Sequence, residues 1–207
     1  MSTKVYQCMK KIHASIESNK DFLTELDSAI GDADHGNNMS RGFTEVVRQL
    51  PQDNEDIGFI LNKVGMVLLS KVGGASGPLY GTAFMKAGKQ ATGKEHISAE
   101  DLSGMLAAAL DGIKYRGKAV RGEKTMIDAL EPAAEAFSKG MGENRTIEAC
   151  LGMACAAAKE GVDYTKTIRA TKGRASYLGN RSIGHQDPGA TSSLIILEAV
   201  RDFYLQM

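Results

Sequence analysis

The chain of 207 residues has no tryptophan, three cysteines and four prolines, and its formal net charge is zero. An odd number of cysteines with no Cys-x-x-Cys pair favours reduced core thiols over a disulfide framework. Basic and acidic residues number 25 each, which gives no overall field that attracts nucleic acid or an anionic membrane. No apolar run approaches the ~20 residues of a membrane-spanning helix, and the amino terminus lacks a signal-peptide stretch. We therefore expect a cytoplasmic protein without a nucleic-acid or membrane partner.

Apolar residues recur at helical spacing along most of the chain. The stretch 57–72 places isoleucine, leucine and valine at steps of three and four, as a core-facing helix stripe does. The alanine-rich stretches 126–138 and 147–159 are strong helix formers. Pro132 is expected to kink the first of these or to lie in its first turn. Because no convincing alternating strand occurs, we predict an all-α fold in one domain over residues 1–207.

A polar turn near the amino terminus carries the clearest candidate ligands, namely Asp27, Asp32 and Asp34, followed by His35. Three carboxylates so close together repel one another unless a cation lies between them. Hard cations such as Mg²⁺ and Ca²⁺ prefer oxygen ligands, and protein-bound Mg²⁺ usually shares its coordination with water and phosphate. The turn therefore predicts a metal site that handles phosphate, with a solvated polar turn as the alternative.

The spacing of these carboxylates requires a break in the helix. On a continuous helix Asp27 and Asp32 would point to different faces. We therefore predict that the helix ends before Gly31 and that Gly31 caps it in the left-handed conformation. An EF-hand does not fit, because Phe43 stands where that loop needs a bidentate glutamate. With the break in place, the three carboxylates are free to converge.

Two further loops combine glycine with polar or basic residues. The small residues 73–77 precede Pro78, a suitable first residue of a helix, so this loop is either a phosphate seat or a place of close helix packing. The segment 117–125 has the glycine spacing of a P-loop, but Glu123 interrupts the required Gly-Lys-Thr and no strand precedes it. We exclude that motif. The basic residues of the segment are either phosphate contacts or a solvated face: Lys118, Arg121 and Lys124.

The carboxyl-terminal third contains a basic cluster and a helix start. A transferring phosphoryl group needs positive charge around it, although each basic residue here is by default solvated. Asp187 and Pro188 predict the N-cap and first residue of the last helix. His185 is favoured as a hydrogen-bonding turn residue. The cluster consists of Arg169, Lys172, Arg174 and Arg181.

Taken in order, these motifs resemble those of the nucleotide-binding L subunits of bacterial dihydroxyacetone kinases. The resemblance covers nearly the whole chain. It implies a barrel of eight antiparallel helices with the nucleotide site in the loops at one end. It also implies two Mg²⁺ ions that join the phosphates of ADP or ATP to Asp27, Asp32 and Asp34. The matching stretches are Asp27 to Met39, Gly73 to Thr82, Arg116 to Met126, Lys172 to Gly179 and Gly184 to Ala190.

The same resemblance implies which residues contact the nucleotide. Arg174 is in addition the candidate catalytic residue, because a guanidinium can stabilise charge on the moving phosphoryl group. The implied nucleotide-binding residues are His35, Gly36, Asn37, Asn38, Ala75, Ser76, Gly117, Met126, Arg174, Asp187, Pro188 and Gly189.

The activity that the resemblance implies is that of a phosphoenolpyruvate-dependent dihydroxyacetone kinase subunit. A phosphocarrier M subunit phosphorylates the bound ADP, and the resulting ATP phosphorylates dihydroxyacetone held on a K subunit. Two alternatives stay open: an ATP-dependent kinase for another small sugar or polyol, and a non-catalytic regulator with the same fold. The intact set of three Asp argues against the regulator. The oligomeric state is not fixed by the sequence.

Overall fold

The computed structural model describes residues 3–206, which form nine α-helices and one 3₁₀ helix and contain no β-strand. The all-α prediction is therefore confirmed. The 3₁₀ helix spans Arg174–Ser182, between the last two α-helices. The α-helices are α1 (Lys4–Ser18), α2 (Lys20–Ile30), α3 (His35–Gln49), α4 (Ile57–Lys71), α5 (Ser76–Gln90), α6 (Ala99–Gly117), α7 (Ile127–Gly142), α8 (Ile147–Thr165) and α9 (Pro188–Tyr204).

Eight of these helices close a ring. α1 packs on α3, each helix from α3 onward packs on the next as far as α9, and α9 packs back on α1. The remaining helix, α2, connects α1 to α3 and packs on α3 and α9. α1 and α3 run antiparallel, because His13 meets Thr44 while Glu17, further along α1, meets Ser40. The ring order agrees with the eight-helix barrel that the motifs imply.

Short polar residues determine where several helices begin. Asp56 accepts a hydrogen bond from the backbone N–H of Phe59 at the start of α4. Ser98 forms a reciprocal capping box with Asp101 at the start of α6. Such caps are worth about 1 kcal/mol each. Asp187 caps α9 with proline at the first helical position, so the predicted start of the last helix is confirmed.

Pro132 lies in the second turn of α7, so its predicted first-turn alternative is wrong. Proline has no N–H, and the carbonyl of Asp128 one turn earlier therefore lacks its helical donor. Gly161 of α8 packs against this carbonyl, since a Cβ at Gly161 would lie 1.9 Å from the Asp128 oxygen. The pair Pro132 and Gly161 thus allows α7 and α8 to approach closely.

The odd-numbered helices α3, α5, α7 and α9 begin at one end of the ring. His35 of α3 contacts Ser76 of α5 and Ser192 of α9. Gly189 of α9 faces Met126 at the start of α7, where a glycine Cβ would lie 3.7 Å from the Met126 Cβ. Unpaired N–H groups and the helix dipole make a helix amino terminus favourable for anions. This end of the ring, the nucleotide end, is therefore predisposed to bind phosphate.

The interior of the ring is apolar and incompletely filled. Its largest fully buried side chains include Phe43, Ile12 and Leu68. A cavity of about 340 Å³ lies between helices that include α1, α5, α6 and α9, and Tyr80 and Ser193 bring polar atoms to its wall. Among residues 3–206, no helix combines the length and the hydropathy that a membrane crossing requires.

Candidate metal and phosphate site

Three carboxylates converge at the nucleotide end. Asp27, Asp32 and Asp34 each offer one oxygen, and these oxygens lie within 4.8 Å of one another. Asp27 is buried on α2, and its Oδ2 accepts hydrogen bonds from the backbone N–H groups of Asp34 (2.9 Å) and His35 (3.1 Å). These bonds fold the loop back over the end of α2. The all-oxygen donor set fits a hard cation such as Mg²⁺, which would relieve the mutual repulsion of the carboxylates.

The turn that brings the carboxylates together differs from the predicted one. α2 ends at Ile30 with Gly31 as its cap, as predicted, but Gly31 has φ −135°, so the predicted left-handed conformation at Gly31 is wrong. Ala33 adopts the left-handed conformation instead, with φ 59°. Glycine is required at position 31 for space, because a Cβ there would lie 2.0 Å from the Asp27 Oδ1. The reversal therefore occurs two residues later than predicted, and Gly31 makes room for a ligand carboxylate.

The glycine-rich loop before α5 provides the close packing that was one of its two predicted roles, and it leads into the amino terminus of a helix. Gly74 is left-handed, with φ 63°, and leads into Ala75 and Ser76 at the start of α5. Gly77 provides close packing, since a Cβ there would lie 2.3 Å from the carbonyl oxygen of Val72. Ser76 is partly exposed and is the first residue of α5. The loop thus presents small residues and a hydroxyl at a helix amino terminus beside the acidic cluster.

The first turn of α3 packs against the acidic cluster. His35 is buried, and burial lowers its pKa below the ordinary value although Asp27 and Asp34 act to raise it. Burial thus favours the neutral form of the ring. Gly36 permits the close approach of α2, since a Cβ there would lie 2.0 Å from the carbonyl oxygen of Lys20. Asn37 on the same turn is exposed.

Asn38 connects the same helix turn to the glycine-rich loop. Its side chain is buried, and its Oδ1 accepts a hydrogen bond of 2.6 Å from the Arg41 guanidinium. A Cβ at Gly73 would lie 2.9 Å from this oxygen. The Asn38 amide therefore separates α3 from the loop before α5. This separation helps to determine the position of Ser76 relative to the carboxylates.

Arg174 brings positive charge to the cluster from a distant part of the chain. It begins the 3₁₀ helix, and its Nη2 lies 2.8 Å from Oδ2 of Asp32. The arginine side chain is 67% exposed and the Asp32 side chain 36% exposed, so the pair lies at the open surface of the site. Screening by solvent makes such a pair worth little for stability. Its significance is positional, because it brings a guanidinium from the 3₁₀ helix to the edge of the acidic cluster.

The starts of α7 and α9 form one wall of the site. Met126 is buried next to Gly189, and Pro188 is buried as the first residue of α9. Asp187 is also buried and accepts a 2.7 Å hydrogen bond from the N–H of Ala190. Burial raises the pKa of Asp187 to about 7, against the lowering effects of that hydrogen bond and of Lys124.

Gly117 completes the set of predicted residues. It is the last residue of α6, and a Cβ there would lie 3.1 Å from Cδ2 of Leu79 in the first turn of α5. Gly117 therefore lies beside the start of α5, at the nucleotide end.

Lys124 fits neither of the two interpretations drawn from the sequence, a phosphate contact or a solvated basic residue. Its side chain is 1% exposed, and its ammonium donates to the carbonyl oxygens of Thr165, His185 (2.5 Å) and Ile168 (3.4 Å). It also adopts the left-handed conformation, with φ 61°. Lys124 is thus neither a phosphate contact nor a solvated residue. It joins the end of α8 to the segment before α9, behind the wall that contains Met126.

The ring and the acidic cluster define the class of the protein, an all-helical barrel with a candidate metal and phosphate site where four helices begin. Residues 29–202 match the DAK2 domain, and the chain belongs to this family.

Two relatives match over nearly their full length. The chain is 44% identical over 197 residues to the PEP-dependent dihydroxyacetone kinase, ADP-binding subunit DhaL, of Escherichia coli (strain K12), covering 95% of this chain and 94% of that protein. It is 42% identical over 191 residues to the PTS-dependent dihydroxyacetone kinase, ADP-binding subunit DhaL, of Lactococcus lactis, covering 92% and 91%. These findings confirm the resemblance inferred from the motifs.

Solved structures of a larger protein share the fold. The native form of the dihydroxyacetone kinase of C. freundii matches with a TM-score of 0.73 at 24% identity, covering 96% of this chain and 34% of that chain. The same kinase in complex with AMP-PNP and Mg²⁺ matches with a TM-score of 0.70 at 25% identity, covering 96% and 33%. The whole barrel therefore corresponds to about one third of that kinase.

Proposed function

We propose that this chain, as one domain over residues 1–207, is the ADP-binding phosphotransfer subunit of a phosphoenolpyruvate-dependent dihydroxyacetone kinase. The observation that carries the proposal is the convergence of Asp27, Asp32 and Asp34 with Arg174 at the end of the ring where four helices begin. The two relatives named as ADP-binding subunits support it, because they align over almost their entire length.

The chemistry suits a site without a nucleophile. Phosphoryl transfer depends on in-line positioning and on neutralisation of charge, so the protein has little covalent work to do. Two Mg²⁺ ions held by Asp27, Asp32 and Asp34 would supply charge neutralisation at the phosphates of ADP or ATP. Arg174 has the planar donor pattern that binds phosphate oxygens in pairs, and its charge would stabilise the phosphoryl group during transfer.

The remaining predicted residues would hold the nucleotide in place. The backbone N–H groups of Ala75 and Ser76 lie at a helix amino terminus that favours phosphate. In the first turn of α3, from His35 to Asn38, the N–H groups of Gly36 and Asn37 would do the same, because those of His35 and Asn38 are already bonded to Asp27 and Asp34. Gly117, Met126 and the stretch 187–189 would form the pocket for the rest of the nucleotide. Gly189 has no side chain, so the flat adenine ring could pack closely against the wall at this position.

The site is open to solvent, so partner proteins could reach a nucleotide bound there. Arg174 and Asp32 lie at the surface, so the terminal phosphate would be accessible from outside the ring. A phosphocarrier M subunit would phosphorylate ADP there, and a K subunit carrying dihydroxyacetone would accept the phosphoryl group, giving dihydroxyacetone phosphate. Both partners need the same phosphate, so they would bind in turn. We place this exchange in the cytoplasm, where phosphoenolpyruvate is available.

Substitution of Asp32 by asparagine tests the proposed metal bridge. Asp32→Asn keeps the side-chain size and removes one charged ligand, so Mg²⁺-dependent retention of ADP should be lost. The measurement is the ADP that remains on the protein after dialysis in Mg²⁺. Asp111→Asn is the matched control, because Asp111 is an exposed acid in the middle of α6. Full retention of ADP by the Asp32 variant would contradict the proposal.

The source of the phosphoryl group distinguishes the proposed subunit from an ATP-dependent kinase. A phosphocarrier-dependent subunit should turn over with catalytic amounts of ADP when the M and K subunits and phosphoenolpyruvate-derived phosphate are supplied. An ATP-dependent kinase for another sugar or polyol should instead exchange ADP for free ATP during each turnover. Binding to the K subunit without any phosphate transfer would favour the regulator.

A further inference from the structure

A line of buried polar groups leads from the start of α5 into the interior of the ring. Ser76 Oγ lies 3.1 Å from Nδ1 of His35, and the other ring nitrogen, Nε2, lies 2.9 Å from Oγ of Ser192 on α9. Ser192 Oγ in turn lies 2.7 Å from the hydroxyl of Tyr80. Four side chains on three helices are thus joined end to end, and the first belongs to the candidate phosphate site.

The inner members of this line are buried. His35 is 7% exposed, Tyr80 4% and Ser192 0%. Their hydrogens must therefore be shared among the groups present, because an unpaired buried donor is costly. Ser193, 1% exposed, and the Gly189 carbonyl complete the set: Ser193 Oγ lies 2.8 Å from the Gly189 oxygen and 2.8 Å from the Tyr80 hydroxyl.

The direction of each hydrogen bond follows from the two ends of the line. Phosphate oxygens only accept hydrogen bonds, so a Ser76 hydroxyl that contacts phosphate has to donate its hydrogen to it. Nδ1 of His35 then has to donate to Ser76. A neutral imidazole carries one N–H, which leaves Nε2 as an acceptor for the Ser192 hydroxyl. This step rests on the proposed function, because it requires a phosphate beside Ser76.

The inner end of the line is consistent with the same direction. Ser193 donates to the Gly189 carbonyl at 2.8 Å, which is shorter than the 3.1 Å from Ser192 to that carbonyl. Ser192 is then free to donate to His35 and to accept from the Tyr80 hydroxyl at its shortest contact, 2.7 Å. Every hydrogen in the set has one acceptor under this assignment.

We propose that Ser192 and Tyr80 are positioning residues that hold His35 as its Nδ1–H tautomer, so that Ser76 donates its hydroxyl hydrogen to a nucleotide phosphate. Neither residue touches the phosphate. They act through the imidazole, because the hydrogen bond at one ring nitrogen determines which nitrogen carries the proton. The interior of the ring thereby sets the donor pattern of the phosphate site.

Two neighbouring serines provide a matched pair of variants. Ser192→Ala and Ser193→Ala each remove a buried hydroxyl that contacts both Tyr80 and Gly189, but Ser192 alone of the two contacts His35. Ser192→Ala should weaken Mg²⁺·ADP binding about tenfold, the usual effect of losing one hydrogen bond to a charged group. Ser193→Ala should change it less than twofold. Adenosine, which has no phosphate, should bind both variants as it binds the unaltered protein.

The decisive readout is the tautomer of His35 in the unaltered protein, measured by ¹⁵N NMR of the imidazole with saturating Mg²⁺·ADP. The proposal requires the proton on Nδ1 in this complex. A proton on Nε2, or equal losses of ADP affinity in the two serine variants, would overturn it. Saturable Mg²⁺·ADP binding by the unaltered protein is measured first, because its absence refutes the proposed function itself, whereas binding with an Nε2–H ring refutes this inference alone.

Discussion

Replacing Lys124 with methionine removes the buried ammonium that ties the nucleotide end together. In the folded chain this ammonium donates to the carbonyl oxygens of Thr165, Ile168 and His185 and is 1% exposed. It also lies near two buried carboxylates, those of Asp128 and Asp187, which act on its pKa. Methionine has almost the same length and no donor, so the change isolates the loss of charge and hydrogen bonds.

The expected loss of stability is large. Removing one partner from a buried, hydrogen-bonded charge network costs about 3–5 kcal/mol, because the remaining groups stay buried without compensation. Here the carbonyl oxygens of Thr165 and His185 lose a close donor, and Asp187 loses the positive charge that acts to lower its pKa. The left-handed backbone at position 124 remains equally unfavourable for methionine, so no relief of strain offsets the loss.

The measurement is the free energy of unfolding from urea titration at pH 7, compared with Lys118→Met. Lys118 belongs to the same loop and is also left-handed, with φ 50°, but it is exposed and lies 4.2 Å above the Tyr115 ring. Its removal should cost at most about 1 kcal/mol, the value of an exposed cation–π contact. A Lys124→Met protein within 1 kcal/mol of the unaltered chain would refute the assigned role of this ammonium.

Two further predictions concern buried groups near the same end. Because burial raises the pKa of Asp187 from 3.8 to about 7, its contribution to stability is complete below about pH 4 and is lost as the pH rises through about 7. Asp187→Asn keeps the helix cap and should remove this pH dependence of the free energy of unfolding, measured by urea titration between pH 4 and 8. An unchanged pH dependence would contradict the raised pKa of Asp187. Gly161→Ala should destabilise the fold by about 3 kcal/mol or more, since its Cβ would meet the Asp128 carbonyl at 1.9 Å. Gly152→Ala in the same helix meets nothing within 4 Å and should be neutral or stabilising in thermal unfolding, and similar effects of both changes would contradict the packing argument.

Much of the fold was predictable because it depends on local patterns. Helical periodicity and caps such as Asp187 act within a few residues, so the sequence alone indicates helices and one of their starts. The acidic cluster was also predictable, since Asp27, Asp32 and Asp34 are close in the chain. The family resemblance implied that Arg174 belongs to the same site, and Arg174 lies 2.8 Å from Asp32 in the structure.

The errors arose where a residue's role depends on distant parts of the chain or on small differences in backbone geometry. Lys124 looks like a loop cation in sequence, and its burial depends on carbonyls about 40 and 60 positions later. Ser192 resembles any small core residue until its partner on α3 is known. Glycine suits both a left-handed turn and the close approach of a side chain. The sequence therefore predicts the turn at Gly31, whereas the structure has it at Ala33 and uses Gly31 for space.

The most direct test of the central claim is the nucleotide content of the freshly purified protein. The protein is denatured before and after long dialysis, with and without a chelator, and the released nucleotide is identified and counted. The account predicts close to one ADP per chain that survives dialysis in Mg²⁺ and leaves when the chelator is present. A chain that carries no nucleotide and binds none when Mg²⁺ and ADP are added would contradict it.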